Sequence, residues 1–78
     1  MNSPYEVLLY YKYSRISDPE DYAANHRILC ERLNLKGRIL IAREGVNGTV
    51  SGSISDTAEY RCAMDEDPIT AGISWKID

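Results

Sequence analysis

No stretch of this sequence stays apolar for anything near the roughly 20 residues that a helix needs to cross a bilayer. Its opening residues, Met1–Glu6, also lack the basic segment and long apolar run of a secretory leader. The expected location is the cytoplasm, with no membrane partner. Cysteine is scarce: Cys30 and Cys62 stand without CxxC spacing or a second pair, and histidine occurs once, at His26. That composition offers no ligand set for a metal, and no cofactor is expected. Both cysteines fall in segments that read as helical. Reduced structural thiols are the expectation, with a disulfide or redox pair the alternative.

Positive charge is in deficit as well. Nine Lys and Arg against twelve Asp and Glu leave a net charge of −3, which excludes a protein whose whole surface grips nucleic acid but not one with a local basic patch. There is no internal repeat, low-complexity tract or linker, so residues 1–78 are expected to form one domain. A chain of 78 residues lies near the lower limit for a single core, because small domains bury only about 60% of the surface their unfolded chains expose. Its 44% apolar and 27% charged residues are those of a globular protein.

What is present alternates between strand and helix signals. Residues 5–13 (YEVLLYYKY) are aromatic and branched, contain no glycine or proline, and read as a strand with apolar groups on both faces. Asp18-Pro19-Glu20-Asp21 is a helix start: a capping acceptor, a proline at the first helical position, and acids at the positive end of the dipole. Tyr22, His26, Leu29 and Leu33 then recur at helical spacing, to an end near Asn34. Residues 37–42 (GRILIA) and 48–53 (GTVSGS) suit two more strands, and Asn47-Gly48 suggests a hairpin whose tip is REGVNG. A second helix fits from Ser55, as its cap, to Glu66, where Asp67-Pro68 stops it. Ile73-Ser74-Trp75-Lys76-Ile77 alternates as a last strand.

The order β-α-β-β-α-β is that of the ferredoxin-like split βαβ fold. Right-handed crossovers would lay both helices on one face of a four-stranded antiparallel sheet. The other face would be uncovered, and this alternation assigns to it Leu8, Tyr10, Lys12, Leu40, Thr49, Ser51, Ser74 and Lys76.

Four stretches carry a family resemblance: Tyr10-Tyr11-Lys12-Tyr13, the run from Leu35 to Leu40 (LKGRIL), the segment from Glu44 to Gly52 (EGVNGTVSG), and Trp75-Lys76-Ile77-Asp78. Together they resemble the N-terminal domain of the oxygen-dependent, rhodanese-domain-containing tRNA uridine hydroxylases, which form 5-hydroxyuridine at the wobble position. The resemblance spans nearly the whole chain, most specifically in LKGRILIAREGVNGTVSG. It implies an acylphosphatase-like fold, a tRNA partner and a rhodanese-like catalytic domain of the same parent protein. In that family the reactive cysteine lies in the rhodanese domain, downstream of the region matched here. Neither Cys30 nor Cys62 is expected to take its place, because each sits on an amphipathic helix and not in a loop that would stabilise a thiolate. No residue is assigned a catalytic role, and the implied function is accessory: binding tRNA or docking to the catalytic domain.

Candidate contacts follow from charge and motif. Gly45-Val46-Asn47-Gly48 invites a phosphate-cradling reading, with Arg43 adding charge, beside the plainer one of a tight hairpin. Lys12, Arg38 and Lys76 are the further candidate RNA-contacting cations and Tyr10 the candidate stacking ring, against the alternative that tyrosines simply pack the sheet. His26 is expected to be a hydrogen-bonded residue at the core edge, and Asp65-Glu66-Asp67 a solvated helix end. The competing reading is a small independent acylphosphatase-like enzyme using Arg43 and Asn47. The absence of glycine from Tyr13-Ser14-Arg15-Ile16-Ser17, after the first strand, counts against it.

Overall fold

A computed structural model describes residues 4–78. Its elements are β1 (Tyr5–Tyr13), α1 (Pro19–Arg32), β2 (Lys36–Ala42), β3 (Gly45–Ser53), α2 (Ile54–Glu66) and β4 (Lys76–Ile77). The strands form one antiparallel sheet in the order β2-β3-β1-β4. This is the expected ferredoxin-like α+β arrangement, with β1 between β3 and β4. The last strand is shorter than its alternation suggests, pairing only Leu8 with Ile77 and Leu9 with Lys76.

Each helix begins where a side chain satisfies a free backbone donor. Asp18 Oδ1 accepts from the Asp21 N–H at 3.1 Å with Pro19 entering α1 behind it, as the sequence indicates. In α2 the cap is Ser53, two residues before the expected Ser55: its Oγ accepts from the Asp56 N–H at 3.1 Å. Ser53 is the last residue of β3, so strand passes into helix with no intervening loop. Both helices cover the same sheet face, where Leu8, Val50, Tyr60 and Met64 are buried together with Ile16 and Leu33. Glu6, on that covered face, accepts from the Thr57 hydroxyl at 2.6 Å and lies 3.8 Å from Arg61, which ties α2 to β1.

Two expectations are corrected here. The covered face of β1 is the one with Leu8 and Tyr10, and Lys12 shares their parity opposite the buried Val46. These three therefore leave the list for the open face, whereas Leu40, Thr49, Ser51 and Lys76 remain on it and Ser74 borders the same depression as Leu9, Thr49 and Lys76. The physical reason lies in β3. Val46, Gly48 and Val50 alternate inward against polar Asn47, Thr49 and Ser51, and their pairing with Lys12, Tyr10 and Leu8 decides which side of β1 is buried.

The second correction concerns the hairpin. Its two-residue turn is Arg43-Glu44, and Asn47-Gly48 lies inside β3, paired on both sides. Starting β3 at Gly45 extends its ladder with β1 to Tyr13. Gly45 has φ +152°, and a Cβ there would stand 2.1 Å from the Lys12 carbonyl oxygen, so the turn needs glycine just after its tip. Gly48 is required for a different reason: a Cβ would fall 2.6 Å from the Tyr10 hydroxyl, whose ring packs across β3 at that point.

Candidate functional site

The register arranges the open face in transverse rows. Tyr13 lies beside Gly45 and Ala42; Tyr11 beside Asn47 and Leu40; Lys76 beside Leu9, Thr49 and Arg38; and Val7 beside Ser51 and Lys36. Successive rows are about 7 Å apart, and Lys76 and Arg38 stand about 14 Å apart across the sheet, from ordinary strand spacings. Tyr11 and Tyr13 are 68% and 81% exposed and meet edge to face at 6.0 Å between ring centres. Leu40 and Tyr5 are exposed as well.

Cations hold the middle of this face, and its carboxylates stand only at its two ends. The outward strand positions carry Lys36, Arg38 and Lys76 and no carboxylate, although the chain is acidic overall. The acids concentrate elsewhere, with Glu20, Asp21 and Glu31 on α1 and Asp56, Glu59, Asp65 and Glu66 on α2. Glu44 in the turn and Asp78, which extends the β4 ladder beside Val7, stand at opposite ends of the open face. Arg15 and Arg43 lie together at the Tyr13 end, where Ser14 N–H and Ile16 N–H donate to the Glu44 and Arg43 carbonyls and join the β1–α1 connection to the turn.

The sequence candidates therefore divide. Arg38, Asn47 and Lys76 share the open face, Arg43 sits at its end, and Gly45 supplies floor beside Tyr13. Gly48 and Tyr10 lie on the helix side, and Tyr10, only 5% exposed, offers no ring face to a ligand. The Gly45–Gly48 segment forms no cradle, because it is strand paired on both sides. The rings on the open face are Tyr5, Tyr11 and Tyr13, which sequence reasoning passed over along with Lys36 and Arg15. The inward valines of β3 were the signal that could have found them.

The tyrosines on the covered face do different work. Tyr10 and Tyr60 hydroxyls lie 2.5 Å apart, and Tyr60 Oη lies 2.6 Å from His26 Nε2. Tyr22 stacks on His26 and donates its hydroxyl to Asp67 Oδ2 at 2.6 Å, while the Trp75 ring centre is 4.8 Å from that of Tyr10. Burial lowers the basicity of His26, with Asp67 only partly offsetting it, so the ring is neutral. Burial likewise pushes Tyr10 up to about 12 and Cys30 up to about 11, and holds Tyr60 and Tyr22 far above the usual phenol range. At neutral pH none of these groups is charged or poised as a nucleophile. The network joins α1, α2 and the sheet, as expected for His26.

For a phosphate-transfer site the arrangement is poor. Arg43 and Asn47 border different depressions, and the start of α1 is filled by the Asp18 carboxylate. Among the described residues no three His, Cys, Asp or Glu groups converge on a metal position, and no helix is long and apolar enough to cross a membrane.

Comparison with known proteins adds the family. Residues 5–78 match the family described as UPF0176 acylphosphatase like domain. The chain belongs to this family. It is 55% identical over 75 residues to a protein of Bacillus thuringiensis (strain Al Hakam) named tRNA uridine(34) hydroxylase, covering 96% of this chain and 24% of that protein. A protein of the same name from Bacillus cytotoxicus is 53% identical over 78 residues, covering 100% of this chain and 24% of the relative. The chain thus spans about a quarter of the length of the curated relatives it matches.

Proposed function

We propose that this domain is an accessory module of a tRNA-modifying oxidoreductase acting on uridine 34, and that its open sheet face holds the tRNA. The observation that carries this reading is the charge segregation: on a chain of net charge −3, the open face presents Lys36, Arg38, Lys76 and exposed tyrosines, with carboxylates only at its ends, Glu44 and Asp78. A basic patch on an acidic average suits contact with phosphate through counterion release. The chemistry itself falls to the remainder of the longer protein, where the family resemblance puts a rhodanese-like domain with the reactive cysteine; the interior Tyr-His network supplies no catalyst. The setting is the cytoplasm, where tRNA is modified.

The test is titration of the 78-residue chain with tRNA across a salt series. Binding should weaken steeply with salt, and Lys36→Ala, Arg38→Ala and Lys76→Ala should each flatten the log–log slope by about 0.7–0.9. No binding even at ~20 mM salt, where attraction is least screened, would overturn the reading. A second reading, docking to the catalytic domain, is favoured by the apolar surface that Leu40, Tyr11 and Tyr13 expose on this face. It requires those residues to be protected in the longer protein with no RNA present.

A further inference from the structure

We infer that the Tyr11–Tyr13 end of the open face is a seat for unstacked nucleotides of single-stranded RNA, an inference that rests on the tRNA-holding role proposed above. The two rings project from one strand, two residues apart, with the exposure given above and nothing from the helices near them. Beside Tyr13 the row continues as Gly45 and Ala42, so no large side chain fills the floor between that ring and the edge of β2. Beside Tyr11 it continues as Asn47 and Leu40. The result is a depression of about 370 Å³ bordered by Tyr11, Tyr13, Leu40, Ala42 and Asn47, with Lys12 and Glu44 also on its lining, within the roughly 300–1,000 Å³ range of small-ligand sites.

Its chemistry selects the occupant. Aromatic rings with free faces stack on any base, but only on one already out of a helix, since a paired base in a duplex has no exposed face to give. Asn47 adds an amide with both donor and acceptor capacity, able to meet a base edge beside the rings. Cations stand on either side: Arg38 and Lys76 one row away, Arg15 and Arg43 at the turn. An apolar floor with aromatic walls would also suit a protein, but a margin where Arg15, Arg38, Arg43 and Lys76 outnumber the Glu44 carboxylate complements a polyanion on an otherwise acidic chain. Stacking and phosphate contact together describe a single-strand platform and not a duplex groove reader.

The test uses the 78-residue chain with two labelled probes of equal length, an oligouridine and an RNA duplex, followed by fluorescence anisotropy. The expected result is preference for the single strand. Tyr11→Ala with Tyr13→Ala should weaken oligouridine binding by about 5- to 150-fold per stacked base, with duplex binding and the salt slope unchanged. Tyr11→Phe with Tyr13→Phe should stay within about twofold of the parent, because the ring faces remain. Arg38→Ala with Lys76→Ala should instead flatten the salt slope for both probes. Equal binding of both probes, or an alanine pair without effect, overturns the nucleotide seat while leaving the phosphate-based reading intact. Loss of all binding at ~20 mM salt overturns both. A dimer in sedimentation that the alanine pair dissolves assigns the face to a second copy of the chain and also overturns the seat. Both rings are exposed, so an unchanged melting transition verifies that each variant is folded.

Discussion

The two faces of β1 carry the same residue type and put it to opposite uses. Tyr10 is sealed beneath the helices, its hydroxyl bonded to Tyr60 and its ring against Trp75 and Gly48. Tyr11, the next residue, and Tyr13 stand in solvent on the other side. A tyrosine inside must find a partner for its hydroxyl, and here the partners form a chain that ends on a neutral histidine. A tyrosine outside satisfies its hydroxyl with water and leaves a large apolar ring uncovered. Burial and exposure are thus divided between alternate residues of one strand, so substitutions one position apart should have effects of different kinds.

The largest separation is expected between Leu8 and Tyr11. Leu8→Ala opens a cavity in a fully buried site and should cost about 2–5 kcal/mol by urea unfolding, a large share of what so small a domain has. Leu33→Ala belongs to the same class, and the half-buried Leu29 should cost less. Tyr11→Ala should stay within about 0.5 kcal/mol. Equal losses at positions 8 and 11 would mean the faces are misassigned.

Next in size is Gly48→Ala, which drives a methyl into Tyr10 and should cost about 1–3 kcal/mol by overpacking. Thr49→Ala, one residue away on the open face, is the control and should be close to neutral. Tyr60→Phe, which leaves Tyr10 and His26 each without a buried partner, should cost about 1–3 kcal/mol, measured by thermal or urea unfolding.

How much of this could be read beforehand follows from the same strand. The element order, the α1 cap at Asp18 and the apolar stripe through His26 were legible, because each rests on local chemistry: a capping acceptor, a proline, helical spacing. The face of β1 was not. With Val7, Leu9 and Tyr11 in one set and Leu8 and Tyr10 in the other, both parities are apolar, and the choice depends on pairing with β3, dozens of residues away. The hairpin failed for a related reason. Asn47-Gly48 is a good turn pair, but pairing β3 with β1 as far as Tyr13 outweighs it, and Gly48 is needed instead where Tyr10 crosses. Tyr10 was therefore named as the stacking ring although it is buried and its neighbours Tyr11 and Tyr13 are the exposed ones.

A smaller effect separates the faces by pH. His26 is held neutral inside, beside Tyr60, Tyr22 and Asp67, with its pKa below the ordinary 6.5. Between its folded value and 6.5 the unfolded chain binds more protons, so stability rises with pH in that window. Unfolding free energy should be steady above about pH 6.5 and decline as pH falls below it. His26→Gln, which cannot titrate, should lack that component in paired urea melts at pH 7.5 and 5.5, and an identical decline in the parent and this variant would assign the pH dependence to other groups. Tyr11→Ala leaves His26 in place and should keep the parent's pH dependence unchanged.

The most direct test of the division between faces is titration of isotopically labelled chain with tRNA at low salt, following backbone and side-chain resonances residue by residue. The expected shifts fall on Tyr11, Tyr13, Arg38, Asn47 and Lys76, with His26, Tyr60 and Met64 unmoved. Shifts concentrated on α1 and α2, or none anywhere, would contradict the account.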